Sequence, residues 1–267
     1  MGLHGPADHP FIDNNNTTAG YMSRLSLDQN YVAVTAACLL IRKSVYMQVE
    51  GLDEEQFRVS YNDVDLCLKV RAAGYLTVWS PHAVVMHEGS VSQNKIDKTV
   101  AEKKYIRFVG EQEAMYKKWL PLIANDPSYN PNLSLSGPGF QFDIDSHNSW
   151  QPLHWKPLPR IMAFPLGQHL ASLQRLAWPL TQMKEATLVD GQNNFRACDY
   201  PEIARYEPSS LILQHQISPF VAEWLQRQRK ITGVFTVFYL ENFLPAMPAN
   251  HPAHDKLPKN ILNALRT

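Results

Sequence analysis

Two rhythms of apolar and polar positions run along this chain. Residues 1–30 are polar and turn-rich, with Asn14, Asn15 and Asn16 in a row, and read as loop. YVAVTAACLLIR at 31–42 is β-branched and apolar, which predicts a buried strand. KSVYMQV then predicts a short helix that Glu50-Gly51-Leu52-Asp53 ends. YNDVDLCLKVRAAG at 61–74 predicts the next helix, with Gly74 placed for a left-handed C-terminal cap. YLTVW and, after the break at Pro81, AVVMH read as extended runs. Residues 99–120 predict a long amphipathic helix with Ile106, Val109, Glu113 and Tyr116 along one face. DPSYNPNLSLSGPG at 126–139 must be irregular.

Beyond a Trp-, Pro- and His-bearing stretch the rhythm changes. PRIMAFPL, SSLILQHQ and VFTVFYL predict three strands. HLASLQRLAWPLTQMKEA predicts a helix that Pro179 kinks or splits, and SPFVAEWLQRQRKITG one capped by Ser218 and closed by Gly233. Strands alternating with helices argue for a parallel sheet with right-handed crossovers. The expected organisation is therefore a first domain over 1–142, a linker over 143–158 and a second α/β part over 159–267. No internal repeat is present.

Composition narrows the function classes. The 267 residues are 45% hydrophobic, enough for a sizeable core. Lys plus Arg and Asp plus Glu each total 25, so nothing electrostatic points to nucleic acid or to a polybasic membrane contact. Cys38, Cys67 and Cys198 are scattered without a C-x-x-C, which suits reduced thiols in a cytoplasmic protein. MGLHGPADHPF has neither the basic nor the apolar region of a secretory signal. VAVTAACLLI at 32–41 is about half of the ~20 residues a spanning helix needs.

The chemistry concentrates in YNDVDLCLK. With Asn62 as N-cap, Asp65 becomes a capping-box partner and pairs with Lys69 four residues on. With Ser60 as cap, Asp63 takes the capping-box role instead. Asp63 and Asp65 lie about 200° apart on a helix and cannot share a face. Asp63 reads either as an acid complementing the helix dipole or as a general base. His87, at the end of a strand and before Glu88 and Gly89, reads either as a loop histidine or as a metal or phosphate contact. His82 belongs to a turn, and Arg175 and His215 read as structural.

Five ordered pieces, VTAACLLIRK, GLDEE, NDVDLCLKVRAAGY, PHAVVMHEGS and DPSYNPNLSL, together resemble the acceptor-side half of family 2 glycosyltransferases of the GT-A fold. The likeness is to bacterial enzymes that build rhamnose-containing and other surface polysaccharides, and it covers residues 2 to about 136. It implies that Asp63 is the general base of an inverting transfer. Asn62 and Asp65 would then shape the acceptor pocket, with Asp65 alternatively holding the helix. His87 would complete a site for Mg²⁺ or Mn²⁺ on the donor diphosphate. A nucleotide-sugar donor and a polysaccharide or lipid-linked glycan acceptor are implied. So is a cytoplasmic location with peripheral contact at the inner face of the membrane. PRIMAFPLGQHLASLQRLAWPL, SSLILQHQIS and VFTVFYLENFLPAMPANHP look like the start of a family 4-like GT-B transferase, a Rossmann-like N-terminal domain.

The chain departs from the family pattern in lacking the Asp-x-Asp nucleotide-binding half before residue 31, and in carrying Glu50 where a second glycine is usual. The expectation is a transferase fragment, inactive alone, with the apolar run at 32–41 and the sheet edge after VFTVFYL partly exposed. A non-catalytic acceptor-binding or docking module is the alternative, and a metal hydrolase using Asp63 and His87 a weaker third.

Overall fold

The computed structural model describes residues 1–12, 14–15, 18–85, 98–142, 157–214, 219–240 and 250. The chain divides into two compact units, Met1–Ser149 and Trp150–Thr267. Residues 143–156 of the expected linker lie outside the described residues.

In the first unit, β1 (Gln29–Tyr31) pairs antiparallel with β2 (Thr77–Trp79), Asn30 opposite Val78. The strand expected over 31–42 is therefore corrected. Only Tyr31 belongs to β1, Val32 is buried, and the chain then turns into a single 3₁₀ turn at Ala36–Cys38 that ends near a fully exposed Leu40. Thr35 caps that turn by accepting from the Ala37 N–H at 3.3 Å. The physical reason is pairing: an apolar run becomes a strand only beside a neighbour that takes its N–H and C=O groups. No described strand lies alongside residues 33–41.

The helix α1 (Lys43–Gln48) ends where Gly51 donates its N–H to the Tyr46 carbonyl at 2.9 Å. Both Glu50 (φ 60°) and Gly51 (φ 57°) are left-handed there. A Cβ on Gly51 would fall 2.7 Å from the Tyr46 ring. The helix α2 (Asn62–Ala72) closes as expected, with Gly74 at φ 88°. Tyr75 N–H donates to the Val70 carbonyl (3.2 Å) and Gly74 N–H to that of Arg71 (2.9 Å), the two-bond left-handed cap. Val45, Val49, Leu66 and Val70 join α1 to α2 in a small core.

The long helix α3 spans Lys98–Ala124. Its buried positions are Glu111, Met115, Tyr116, Leu120, Ile123 and Ala124, all in its C-terminal half. The expected face is corrected accordingly: Tyr116 lies in it, but Ile106 is 63% exposed. Ala83–Val85 of the expected strand AVVMH take no strand conformation, and Met86 and His87 lie outside the described residues. Residues 126–139 are irregular as expected apart from an isolated bridge between Leu133 and Phe142, gathered on Tyr129, Leu133 and Leu135 with Phe140 against them.

The second unit is a four-stranded parallel sheet in the order β4-β3-β5-β6. Its strands are β3 (Arg160–Phe164), β4 (Asp190–Asn193), β5 (Ser210–Gln214) and β6 (Phe235–Tyr239). Alternation sends Ala163 to one face with Leu176, Leu180 and Val189. It sends Met162, Phe164, Leu211 and Leu213 to the other, with Ile203, Tyr206 and Trp224. Helices thus cover both faces, a doubly wound arrangement.

The helical segment after β3 is split as Pro179 predicts. It begins as α4 (Leu170–Ser172), widens into a π turn at Leu173–Ala177, and resumes as α5 (Trp178–Glu185) with Pro179 in its first turn. Proline has no N–H for the carbonyl four residues back, so the wider turn falls where the regular ladder must break. The helix α6 (Tyr200–Tyr206) and the strand β4 were not foreseen. The helix α7 (Pro219–Thr232) is closed by left-handed Gly233 (φ 69°), while Ser218 lies outside the described residues. On the edge strand β6, Phe235 is 69% exposed.

Candidate active site at the head of the second helix

The start of α2 departs from the expected cap. Neither Asn62 nor Ser60 is the N-cap; Tyr61 is, in a left-handed conformation (φ 64°) and without a side-chain cap bond. Asn62 is the first helical residue, and its Oδ1 accepts from the Asp63 N–H at 2.7 Å. A left-handed aromatic residue is strained and must be held from outside. Contacts from α3 hold it, including a side-chain hydrogen bond between Gln112 and the Tyr61 hydroxyl. The buried Glu111 carboxylate accepts from the N–H groups of Val59 (3.3 Å) and Ser60 (2.7 Å). The Tyr61 ring lies against Phe108, centroids 5.8 Å apart. Burial also pushes the Tyr61 hydroxyl above its ordinary pKa.

Asp63 and Asp65 then diverge, as their spacing requires. Asp65 is fully buried and is not a capping-box partner. Its Oδ1 accepts from Trp119 Nε1 at 2.7 Å and meets Lys118 Nζ at 2.8 Å, and Lys69 Nζ stands 3.6 Å from its Oδ2. Lys118 also faces Asp53 at 3.6 Å, and Lys69 donates to the Gly51 carbonyl. One carboxylate thus ties the GLDEE turn, α2 and α3 together.

Asp63 faces the other way and is half-buried. Its Oδ2 accepts from the Ala36 N–H at 2.9 Å and its Oδ1 from the Val64 N–H at 2.8 Å. One turn further, the Cys67 Sγ lies 3.8 Å from the Val34 carbonyl, and burial pushes this thiol above its ordinary pKa. The VTAAC segment is thereby pinned along α2 by Asp63 and Cys67. Each Asp63 oxygen has one N–H partner and a spare lone pair, so the group can still accept a proton from a hydroxyl above the helix start.

The implied divalent metal is a different matter. Among the described residues no three His, Cys, Asp or Glu side chains are grouped to hold a metal ion. Asp65 is taken up by two lysines and a tryptophan. His87 lies outside the described residues. His82 sits in an exposed turn.

Sequence reasoning missed Glu111, Lys118 and Trp119, the supports contributed by α3. Their spacing is a readable signal, since Glu111, Met115 and Lys118 recur at three and four residues on a single helical stripe.

The chain is 45% identical over 135 residues to the uncharacterized protein y4gI of Sinorhizobium fredii, covering 51% of this chain and 14% of that protein. It is 29% identical over 138 residues to the O-antigen biosynthesis protein RfbC of Myxococcus xanthus, covering 51% of this chain and 10% of the relative. It is 36% identical over 96 residues to an N-acetylglucosaminyl-diphospho-decaprenol L-rhamnosyltransferase of Mycobacterium tuberculosis, covering 35% and 31%. The chain thus spans less than a third of the length of each of these relatives. No family model matches the chain, and no solved structure matches it. Two of these relatives are thus named for O-antigen biosynthesis and for rhamnosyl transfer.

Proposed function

We propose that the first unit is the acceptor-side part of an inverting glycosyltransferase of surface-polysaccharide biosynthesis, with Asp63 as its general base. The observation that carries this reading is the division of labour at α2. Asp65 is consumed by structure, while Asp63 is held by two backbone N–H groups beside an exposed loop. The similarity to the mycobacterial rhamnosyltransferase supports the reaction class.

In the proposed step, a hydroxyl of a polysaccharide or lipid-linked glycan attacks the anomeric carbon of a nucleotide sugar. Its proton passes to the Asp63 carboxylate as the new C–O bond forms. The bond from that carbon to the diphosphate breaks on the opposite face, so the configuration inverts and the nucleoside diphosphate leaves. Backbone donors at Ala36 and Val64 fix the carboxylate, which lowers the reorganisation needed to present a lone pair. Asn62 stands beside it as a candidate acceptor contact. The described residues do not form a divalent-metal site, so no step is assigned to one.

For the second unit, the strand order β4-β3-β5-β6 supports the Rossmann-like reading, and its assignment as the start of a GT-B domain belongs to the same proposal. A non-catalytic acceptor-binding module is favoured by one observation, that both Asp63 oxygens already carry backbone partners.

Asp63→Asn in the intact protein separates the two readings. Turnover should fall about 10²-fold or more with donor binding little changed. Undiminished turnover would remove Asp63 from the chemistry and leave the binding module standing.

A further inference from the structure

Residues 101–110 of α3 are lightly packed, Phe108 resting on Tyr61. None of residues 101–110 is buried, although the same helix buries six positions from Glu111 onward. Tyr105 is 66% exposed, Ile106 63% and Phe108 40%. At 3.6 residues per turn, Ala101, Tyr105, Phe108 and Val109 fall within an arc of about 100°. Lys103, Lys104 and Arg107 fall within a similar arc on the opposite side. Residues 101–110 carry three cations, Lys103, Lys104 and Arg107, against the single carboxylate of Glu102, and Arg107 Nε also stands 3.8 Å from the buried Glu111 carboxylate. The chain as a whole is neutral, so this excess is local.

Exposed aromatic and aliphatic side chains flanked by lysine and arginine suit a surface that is apolar below and anionic above. No described helix is long and apolar enough to cross a membrane, so the fitting geometry lies along the surface. We infer that residues 101–110 dock on an anionic lipid interface, Tyr105 and Phe108 entering the headgroup region and Lys103 and Lys104 meeting its charge. Phe108 contacts Tyr61, and Glu111 one turn on holds Val59 and Ser60. The docked helix would therefore carry the Asp63 loop to the surface. The purpose of docking, presenting Asp63 to a lipid-linked acceptor, rests on the transferase reading, whereas the evidence for it does not.

The test is flotation of the full chain with vesicles of phosphatidylcholine alone and of equimolar phosphatidylcholine and phosphatidylglycerol. Flotation is expected only with the anionic vesicles, weakening as salt is raised. Lys103→Glu with Lys104→Glu should lower partitioning about thirtyfold or more. Tyr105→Ser with Ile106→Ser should lower it about tenfold or more. All four positions lie N-terminal to the buried residues of α3, and unchanged circular dichroism and melting check the fold. Failure of the native chain to float, or flotation of both variants at the native level, overturns the proposal. So does a lipid-free dimer in ultracentrifugation that Tyr105→Ser with Ile106→Ser dissociates, since the face would then join protein copies. Asp63→Asn should float as the native chain does, so loss of the catalytic reading and loss of docking are separate results.

Discussion

Trp119 Nε1 donates to Asp65 Oδ1 across 2.7 Å, a bond between residues 54 apart in sequence that fixes α3 on α2. With Lys118 at 2.8 Å and Lys69 at 3.6 Å, the carboxylate is the shared partner of three side chains. Asp65→Asn keeps the shape and an acceptor for Trp119 but leaves Lys69 without its carboxylate and Lys118 with only Asp53, at 3.6 Å. The expected cost is about 2–4 kcal/mol, because an uncompensated buried charge costs far more than a surface pair gains. Lys118 is partly exposed and can swing into water, which favours the lower end. Urea unfolding followed by tryptophan fluorescence checks it. A loss below about 0.5 kcal/mol would mean that packing alone holds the junction.

Glu111→Gln probes the same junction from the other side. Two N–H groups, of Val59 and Ser60, lose a charged acceptor, and the amide can serve only one of them well. A loss of about 1–2 kcal/mol is expected. Relaxation of left-handed Tyr61 should accompany it, and with it a fall in turnover of the intact protein while Asp63 remains in place. Unchanged stability together with unchanged turnover would show that Phe108 and Gln112 hold Tyr61 without Glu111.

These supports explain what the sequence could and could not disclose. The 200° separation of Asp63 and Asp65 followed from spacing and is realised in their different partners. The cap register did not follow, because Tyr61 is fixed by Phe108 and its neighbours by Glu111, some fifty residues away. VTAACLL looked like a strand by composition, yet a strand needs a paired neighbour, and residues 33–41 have none among the described residues. β4 was missed because Asp190–Asn193 is a short polar edge strand containing a glycine. α6 was hidden by Pro201 although its capping box, Asp199 with Glu202, was legible. The left-handed Gly74 cap and the split at Pro179 were readable because backbone chemistry alone decides them.

The thiols should respond very differently to alkylation and to pH. Cys38 is exposed, whereas Cys67 and Cys198 are buried. Iodoacetamide at neutral pH should modify Cys38 alone, with Cys67 reacting only on unfolding, and mass mapping of the alkylated chain reads this directly. Burial first, and the nearby Asp63 charge in addition, raise the Cys67 pKa. A raised folded value means that the stabilising term is complete below the ordinary thiol value near 9 and is lost as pH climbs through the folded value. Stability should therefore fall above about pH 9, and Cys67→Ala should flatten that alkaline limb. An equal alkaline loss in the variant would assign it to other groups.

Glu50 gives the clearest stability prediction of either sign. Its φ of 60° places a Cβ-bearing residue in the left-handed region immediately before left-handed Gly51. The folded-state strain is about 1–2 kcal/mol for such a residue. Replacing it with glycine removes that strain but adds about 0.4–1 kcal/mol of unfolded-chain entropy. The difference favours glycine, so Glu50→Gly should stabilise the first unit by about 0.5–1 kcal/mol. Gly51→Ala should act in reverse and more strongly, since the added Cβ meets the Tyr46 ring at 2.7 Å and disturbs the turn whose carbonyl Lys69 uses. Urea midpoints of the two variants against the native chain decide the matter. A destabilised Glu50→Gly would show that the Glu50 side chain makes a contribution larger than its backbone strain.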